Sequence, residues 1–578
     1  MGLFLKRRAG VGMGRELRQS TWTQNTWAGH MAFPPSTPTV SSGPPSATLP
    51  VAADRRTRRA AFLAACALSG VLFVLSYPRY DIDWLIWVAL APFIWAVTGA
   101  GWRRGLLGGC ITGAILESWS FNWVLYAMMN FTGLGLAGGL AMFTPWVLYE
   151  TLPWAALGLF LGLQRSGARP RLSGALVAIP LWIALEHYYP RVFPWHVGVA
   201  LHDRIWLAQS ADLLGVSGLT ALILLANTVL AFGLFRAQGR ARFPRWSAAL
   251  TVCALAAASV YGAVRLAEID RGLAATPEFR VGTIQPVTLP VERARSPVLV
   301  FSRMQQLTRA LEAKERPDLI LWPEGADTIG YRIDAQGRVD RPRVTAEYET
   351  GFEALATPLV AGTWTTVPSA GAVYNSAAYI LPRQWPPAGF YHKNMRLLFG
   401  EYVPFLESLP AWFRRRIGYV GTINAGTESP LFELPGSRGN PATRFRVLIC
   451  YEGVLEGYVR KSAEGADFLV NITEDIWYGD TSHIGQHLQV LKMSTIESRI
   501  AVARATNIGP SGVIDPAGRM PDATSKFEMA ERVFSLRPAR FESLYSRGGH
   551  FFPAFCLAAG LLGVVWLRYR AQVRAGAV

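Results

Sequence analysis

Three short stretches in the second half of the chain carry side chains that could together perform nucleophilic chemistry. Leu319-Ile-Leu-Trp-Pro-Glu324 places a carboxylate after a strand-like run, His392-Lys393 supplies an amine, and Arg446-Val-Leu-Ile-Cys450 places a thiol where a strand ends. A cysteine that attacks a carbonyl needs a base to take its proton, and a carboxylate with a raised pKa can serve. A lysine fixed by carboxylates can stabilise the oxyanion. Because side chains from three strand ends can converge, this set predicts acyl chemistry through a cysteine.

Each of these residues also has an ordinary explanation. Glu324 could be a solvated turn carboxylate, Lys393 a surface lysine, and Cys450 a small buried hydrophobic side chain. Cys450 is nevertheless the one cysteine of five in polar-flanked sequence. The other four lie in long apolar runs: Cys66, Cys110, Cys253 and Cys556. With no second cysteine near Cys450, we expect neither a disulfide framework nor a cysteine-ligated zinc site.

The composition indicates a membrane protein. Of the 578 residues, 51% are hydrophobic and only 17% are charged, whereas a soluble domain usually carries about a quarter charged residues. A formal net charge of +17 could indicate nucleic acid binding. The arginines, however, cluster in alternate connections between apolar runs, which is the pattern of a multi-span membrane protein. We therefore expect no nucleic acid partner.

Eight apolar stretches are near the length that crosses a bilayer. The basic connections are the N-terminal tail and the second, fourth and sixth loops. The positive-inside rule therefore places both termini in the cytoplasm and residues 277–540 outside it. The predicted spans are 60–77, 84–100, 105–126, 134–163, 172–188, 207–235, 247–267 and Phe551–Leu567.

Residues 277–540 lose the membrane character and alternate strand-like with helical patterns, which favours a sheet covered by helices. The predicted strands are 279–285, 319–322, 359–363, 374–380, 445–450 and 468–472, and the predicted helices are 297–314 and 485–503. We thus predict a polytopic α-helical membrane domain with eight spans and an inserted α/β domain. Its parts are a disordered basic, proline-rich tail over 1–57, a seven-span domain over 58–270, a catalytic domain over 277–540 and an eighth transmembrane helix over 549–570.

The ordered motifs resemble those of the nitrilase (carbon–nitrogen hydrolase) superfamily, and the flanking spans make residues 60–568 similar to the apolipoprotein N-acyltransferase family. The motifs are Trp322-Pro-Glu324, Lys393 with Glu401 in Phe-Gly-Glu-Tyr-Val-Pro, Cys450-Tyr-Glu452, Asn471 through Asp480, and Arg504-Ala-Thr-Asn507 with Gly512-Val-Ile-Asp515-Pro. Two departures concern the rim of the site. Gln285-Pro-Val lacks the Gly-Asn that commonly follows in the family, and Gly-Ala-Asp rather than a more apolar sequence follows Glu324.

The resemblance implies a nitrilase-like αββα sandwich with a Glu-Lys-Cys triad. It implies that Glu324 is the general base, Lys393 the lysine that stabilises the oxyanion, and Cys450 the nucleophile. Glu401 would orient Lys393. The supporting or substrate-binding residues that it implies are Glu401, Tyr451, Glu452 and Trp477.

The activity that the resemblance implies is a ping-pong acyl transfer that completes bacterial lipoprotein maturation. Cys450 attacks an acyl ester of a phospholipid, and the resulting thioester gives its acyl chain to the α-amine of the diacylglyceryl-cysteine that begins an apolipoprotein. The expected partners are a phospholipid donor and diacylglyceryl-modified lipoproteins, with no cofactor and no metal. We expect a monomer in the bacterial inner membrane with its catalytic domain in the periplasm.

Two other functions stay open. A membrane-anchored amidase could use the same triad to hydrolyse a small amide or nitrile, with water as the acceptor. A transporter or receptor could use the outer domain only to bind a ligand, but charged residues are scarce inside the predicted spans, whereas a transport path usually needs them. Tethering of the soluble domain at both ends favours the lipid substrate.

Three further groups of residues could be functional. His483 and His487 are four residues apart and could share a helix face as metal ligands, but no third ligand is evident. Glu186 and His187 lie near the outer end of the fifth predicted span, where they could be functional or merely hydrated. The stretch Leu409-Pro-Ala-Trp-Phe-Arg-Arg-Arg416 could rest at a lipid headgroup interface or form an ordinary basic turn.

Overall fold

The computed structural model describes residues 55–132, 135–166, 169–341, 352, 355–404, 408, 410–411 and 423–576. Most of the predicted N-terminal tail and most of the stretch 409–416 therefore lie outside the described residues. The described part begins with a helix at Arg55.

The first part of the described chain, up to Ala275, is almost entirely helical. Two residue pairs, Arg165–Ser166 (β1) and Arg169–Pro170 (β2), form a small antiparallel ladder between helices. The α-helices are Arg55–Leu75 (α1), Ile86–Ala89 (α2), Ala91–Val97 (α3), Trp102–Ser120 (α4), Asn122–Thr132 (α5), Gly135–Gly162 (α6), Leu172–Tyr188 (α7), Ile205–Ala208 (α8), Ala211–Leu214 (α9), Val216–Ala237 (α10) and Arg245–Ala275 (α11).

Four helices of the described chain are long and apolar enough to cross a membrane: Arg55–Leu75, Val216–Ala237, Arg245–Ala275 and Phe551–Val573. They show that the chain is a membrane protein, while the count of eight spans stays a prediction. The predicted span 84–100 is broken into a 3-10 turn and the short helices α2 and α3. The predicted span 207–235 begins late, because α8 and α9 are short and Gly215, with φ of +69°, separates them from α10.

Helices α4 and α6 approach each other closely through glycine. A side chain at Gly105 would place its Cβ 2.2 Å from the carbonyl oxygen of Gly158, so only glycine permits this contact. The same two helices carry buried acidic side chains: Glu117 on α4 and Glu150 on α6 lie 3.6 and 3.3 Å from Nη1 of Arg191. These two charges within the predicted spans therefore share one arginine as their partner.

The second part of the chain forms two β-sheets. The strands are Phe279–Gln285 (β3), Leu319–Ile333 (β4), Val339–Asp340 (β5), Leu359–Val367 (β6), Ala372–Ile380 (β7), Gly389–His392 (β8), Phe432–Leu434 (β9), Thr443–Ile449 (β10), Phe468–Thr473 (β11), Ala501–Thr506 (β12), Gly512–Ile514 (β13) and Ala530–Leu536 (β14). One sheet has the order β14-β3-β4-β6-β7-β8, with β5 paired to β4, and the other has the order β13-β12-β11-β10-β9.

The two sheets pack face to face and are covered by helices on their outer faces. Apolar side chains of both sheets, such as Val281 and Val447, share one buried cluster. Outside the first sheet lie Pro290–Arg295 (α12) and Pro297–Glu315 (α13), and outside the second lie Glu456–Ala463 (α14) and His483–Ser498 (α15). This is the αββα layering of a nitrilase-like domain. Leu544–Gly548 (α16) and Phe551–Gly576 (α17) follow it.

Two boundaries differ from the sequence prediction. The predicted helix 485–503 ends at Ser498, because Arg499 adopts a left-handed φ of +52° and the apolar run after it forms the buried strand β12. Strand β4 does not end before Glu324 but continues to Ile333, with a shift in its pairing to β6 between Trp322 and Asp327. The carboxylate therefore lies at an irregularity within a strand.

Candidate active site

The nucleophile candidate stands at a sharp turn between β10 and a 3-10 turn over Cys450–Val454. Cys450 has a φ of +51°, an uncommon conformation for a residue that is not glycine. Such backbone conformations persist where the surrounding structure over-determines them, and they cluster at functional sites. The carbonyl oxygen of Cys450 lies 3.2 Å from Nε2 of His487 on α15, which fixes the turn from the opposite side. The thiol is thus held at the end of a buried strand, as the sequence predicts.

Glu324 faces this thiol from the irregular stretch of β4. Its Oε1 accepts a hydrogen bond from Nδ2 of Asn375 at 2.6 Å, and its Oε2 accepts one from the backbone N–H of Glu474 at 2.9 Å. The side chain is 12% exposed and also forms a side-chain hydrogen bond with Cys450. One donor on strand β7 and one directly after strand β11 therefore orient the carboxylate toward the thiol, as a general base requires.

Lys393 follows β8 directly and is almost fully buried. Its Nζ lies 2.8 Å from Oε1 of Glu401 and 3.6 Å from Oε1 of Glu324. Nδ2 of Asn375 reaches Oε1 of Glu401 at 3.2 Å, so one amide connects the two carboxylates. Oε2 of Glu401 accepts a hydrogen bond from the N–H of Leu397 at 2.7 Å, which fixes the glutamate itself. The structure brings Glu324, Lys393 and Glu401 together as predicted.

The pKa values of the triad are shifted in directions that suit this chemistry. Burial raises the pKa of Cys450 well above its ordinary value; the Glu324 carboxylate raises it further and the Lys393 ammonium lowers it. Burial would lower the pKa of Lys393, but the carboxylates of Glu401 and Glu324 raise it well above its ordinary value. Burial also raises the pKa of Glu324, with Lys393 opposing the shift. These shifts favour a neutral thiol at Cys450 and a charged ammonium at Lys393 in the resting site.

Glu452 supports both the thiol turn and the lysine segment. Its Oε2 accepts a hydrogen bond from the N–H of Ile449 at 2.8 Å. Its Oε1 accepts hydrogen bonds from the N–H groups of Asn394 and Met395 at 2.8 and 2.9 Å and from the hydroxyl of Tyr391 at 2.6 Å. One buried carboxylate thus joins the strand before Cys450 to the residues after Lys393.

A buried ionic network lies behind the nucleophile. Asp475 accepts from Nδ1 of His487 at 2.9 Å and from Nη2 of Arg504 at 3.0 Å, while Nη1 of Arg504 donates to Oδ1 of Asn471 at 2.5 Å. Burial opposes ionisation of Asp475, but His487 and Arg504 hold the pKa of this carboxyl well below its usual range. Because His487 also reaches the carbonyl of Cys450, the network positions the nucleophile turn.

The same face of the catalytic domain contacts the helical membrane part. The hydroxyl of Tyr451 donates to the carbonyl oxygen of Val192 at 2.7 Å, and Nε1 of Trp123 donates to Oε1 of Gln486 at 2.9 Å. Trp477, in the 3-10 turn Ile476–Tyr478, is half-buried against the core of the membrane helices together with Tyr451. Two of the four predicted supporting residues, Tyr451 and Trp477, therefore contact the membrane part.

The sequence motifs contained further site residues whose roles they did not reveal. Asn375 was recognisable only as part of a strand, and Glu474 and Asn507 only as parts of longer motifs. In the structure Oε1 of Glu474 accepts from Nδ2 of Asn507 at 3.1 Å and its Oε2 accepts from Arg293, while its N–H holds Glu324. Burial raises the pKa of Glu474 to about 7, with the Arg293 guanidinium opposing the shift.

His483 and His487 do share a helix face, and Asp475 joins them as a third group. Burial lowers the pKa of His483 to about 3, and its ring stacks on Tyr478 with centroids 3.7 Å apart. Because Asp475 is already paired with Arg504 and His487 already holds Cys450, this cluster supports the nucleophile turn.

Two family profiles match the chain in tandem. The apolipoprotein N-acyltransferase N-terminal domain matches residues 69–229, and the carbon–nitrogen hydrolase domain matches residues 290–531. An apolipoprotein N-acyltransferase from Geobacter metallireducens is 29% identical over 521 residues, spanning 87% of this chain and 94% of its own length. The chain belongs to the apolipoprotein N-acyltransferase family.

Other members of the apolipoprotein N-acyltransferase family match to a similar extent. The protein from Bdellovibrio bacteriovorus is 28% identical, covering 77% of this chain and 83% of its own length, and that from Rhizobium meliloti is 28% identical, covering 78% and 85%. Among solved structures, Saccharomyces cerevisiae Nit3, a member of branch 10 of the nitrilase superfamily, is 13% identical and covers 47% of this chain and 94% of its own, with a TM-score of 0.33. The family predicted from the sequence is confirmed by the two family profiles and by the named relatives.

Proposed function

We propose that this enzyme transfers an acyl chain from a phospholipid to the α-amine of the N-terminal diacylglyceryl-cysteine of apolipoproteins, through a thioester on Cys450. The observation that carries this proposal is the position of the triad. A thiol faced by Glu324 and Lys393 stands on the side of the catalytic domain that packs, through Tyr451 and Trp477, against the membrane helices. A nucleophile in that position is suited to an ester that stays in the bilayer.

The first half-reaction forms the thioester. Glu324 takes the thiol proton as the sulfur of Cys450 attacks the ester carbonyl, and the ammonium of Lys393 stabilises the oxyanion. The tetrahedral intermediate then breaks its bond to the glycerol oxygen, which takes the proton from Glu324 and leaves as a lysophospholipid. The acyl chain remains on sulfur.

The second half-reaction uses the same groups in reverse. The free amine of the diacylated lipoprotein attacks the thioester carbonyl, Glu324 takes a proton from the attacking nitrogen, and Lys393 again faces the oxyanion. Expulsion of the sulfur, which recovers a proton from Glu324, leaves an amide and the resting thiol of Cys450. Charge and protons balance over the cycle without a cofactor.

The membrane arrangement that we propose is eight spans in the bacterial inner membrane, with both termini in the cytoplasm and the catalytic domain in the periplasm. It rests on the alternation of basic loops and on the four long apolar helices. Fusion of a periplasm-active reporter after Thr276 and after Gly576 tests it. We expect activity only in the first fusion, and activity in the second fusion would contradict the proposed topology.

A product assay tests the proposed reaction. Purified full-length protein is mixed with phospholipid vesicles and a synthetic diacylated lipopeptide, and the peptide mass is followed together with free fatty acid. Gain of one acyl chain on the peptide amine, absent with Cys450→Ala, is the expected result. Release of free fatty acid with an unchanged peptide would instead favour a hydrolase. We also propose that the protein is a monomer, which light scattering on the same preparation measures.

A further inference from the structure

A second group of titratable side chains gathers at the junction of the membrane and catalytic parts, on segments that the acyl-transfer chemistry does not use. His187 ends α7, His196 lies in the following loop, Glu456 begins α14, and His550 immediately precedes α17. Three imidazole nitrogens surround the single oxygen Oε1 of Glu456: Nε2 of His196 at 3.4 Å, Nδ1 of His187 at 3.5 Å and Nδ1 of His550 at 3.7 Å. We call these four residues the junction cluster.

The spacing of the junction cluster is longer than that of hydrogen bonds. A hydrogen bond between nitrogen and oxygen usually measures about 2.7–3.2 Å, and all three distances exceed it. Ligands at about 2.0–2.1 Å from a tetrahedral Zn²⁺ stand roughly 3.3–3.4 Å from one another. The donor atoms of His187, His196 and Glu456 all lie within 4.8 Å of one another. The three distances to Oε1 of Glu456 are therefore close to the spacing between two ligands of one metal ion.

A carboxylate on the far side of His196 supports the same conclusion. Nδ1 of His196 lies 3.2 Å from Oε2 of Glu186, whose Oε1 accepts hydrogen bonds from the N–H of Val197 at 2.8 Å and from Nε1 of Trp182 at 3.2 Å. Protonation of Nδ1 toward this carboxylate leaves the lone pair of Nε2 directed at Glu456. A metal-ligating histidine characteristically donates its other N–H to a carboxylate in this way. The contact with His196 thus accounts for a buried carboxylate at Glu186.

We propose that His187, His196 and Glu456 bind a divalent transition-metal cation, for which Zn²⁺ suits two imidazoles and one carboxylate. The ring centroid of His550 lies 4.4 Å from that of His187, so His550 borders the site as a fourth residue. Imidazole nitrogen with one carboxylate oxygen is a donor set typical of Zn²⁺. The sequence did not suggest this set because Glu456 and His550 lie hundreds of residues after His187 and His196 in the chain.

The cation would join three parts of the molecule at one point. Glu456 begins the helix that directly follows the turn Cys450–Val454, while His187 lies in the last turn of α7 and His550 immediately precedes the last helix, α17. An open cavity of about 350 Å³, lined by Glu456 and Lys461 among others, reaches the cluster at Glu456. The role that follows is structural: the cation holds the nucleophile segment against the membrane helices.

The test uses the purified full-length protein in detergent, stripped with a chelator and then titrated with Co²⁺ as a spectroscopic probe or with Zn²⁺ followed by elemental analysis. We expect about one ion per chain, with the intense visible absorption of four-coordinate Co²⁺. Glu456→Gln and His196→Gln should each weaken binding at least tenfold, and Glu186→Gln should weaken it about 10–100-fold, as changes to such outer carboxylates do. His202→Gln is the matched control, since His202 contacts Gln489 and Asp203 instead.

Each possible outcome decides the proposal. Wild-type protein that takes up no Co²⁺ or Zn²⁺ would show that the cluster is an ion-paired histidine network, and the wild-type measurement does not depend on whether any variant folds. Binding that persists in Glu456→Gln but is lost in His483→Gln would place the ion on the other histidine pair and also overturn it. A rise in the unfolding temperature with Zn²⁺ in the wild type and in His202→Gln, but not in Glu456→Gln, supports it.

Discussion

Replacement of Glu401 by glutamine is the most informative change near the triad, because it removes a charge without removing the nucleophile, the base or the lysine. Glu401 lies 2.8 Å from Nζ of Lys393, and Glu324 lies 3.6 Å from the same atom. With an effective dielectric constant of about 20, these pairs correspond to attractions of roughly 6 and 5 kcal/mol. Glu401 therefore supplies about half of the field that holds the ammonium.

Two consequences follow for catalysis. The ammonium of Lys393 should move toward Glu324, away from the position in which it faces the oxyanion. Glu401 also raises the pKa of Glu324, so its loss should make Glu324 a weaker base. Loss of one oxyanion donor typically costs a factor of 10²–10³ in kcat, or about 3–4 kcal/mol. We expect Glu401→Gln to slow thioester formation by at least about 10²-fold.

The change should also destabilise the fold. Removal of one partner from a buried ion pair usually costs about 3–5 kcal/mol. Lys393 keeps Glu324, but the single oxygen of glutamine cannot accept both from Lys393 and from the N–H of Leu397, as the two oxygens of Glu401 do. We expect a loss of about 3 kcal/mol, measured as the shift of the unfolding midpoint.

The assay is a single turnover of acyl transfer to Cys450 from a phospholipid, with Glu433→Gln as the control because Glu433 is exposed on strand β9. A rate of Glu401→Gln within threefold of the wild type, in folded protein, would refute the argument that Glu401 holds Lys393 for catalysis.

Two further predictions concern the thiol and its contact with the membrane part. Because burial and Glu324 raise the pKa of Cys450 while Lys393 lowers it, alkylation of the thiol by iodoacetamide should accelerate as pH rises past the ordinary thiol range. At a fixed neutral pH, Lys393→Met should slow alkylation, and an equal or faster rate in folded protein would contradict the assignment. Tyr451→Phe removes the hydrogen bond to Val192 and should lower the stability measured by thermal unfolding by about 1 kcal/mol. The rate of acyl transfer should stay within tenfold of the wild-type rate. A loss of rate above 100-fold would give Tyr451 a catalytic role.

The strand ends that carry the chemistry could be predicted because they are local. The prediction of strand 279–285 agrees with β3, and the predicted strands 359–363 and 468–472 lie within β6 and β11. Glu324 and Cys450 stood out because a carboxylate and a thiol adjoin predicted strands. Strand β8, which precedes Lys393, was not among the predicted strands, and the family resemblance linked Lys393 to the other two.

The supporting contacts could not be predicted in the same way, because they join residues far apart in sequence. Asn375 lies 51 residues from Glu324, and the Glu474 amide lies 150 residues from it. The error over 485–503 has a different cause. A buried parallel strand is apolar throughout, so the run after Arg499 did not differ in pattern from the helix that precedes it. Only its pairing in register with β11 defines it as a strand.

The central claim is that Cys450 carries the acyl chain between donor and acceptor. Intact-mass analysis of the purified protein, incubated with phospholipid in the absence of lipopeptide, tests it most directly. The proposal predicts an added mass of one acyl chain that hydroxylamine removes, that a diacylated lipopeptide discharges, and that Cys450→Ala lacks. A folded, full-length enzyme that acylates the lipopeptide without ever carrying this adduct, or that carries it in Cys450→Ala, would contradict the account.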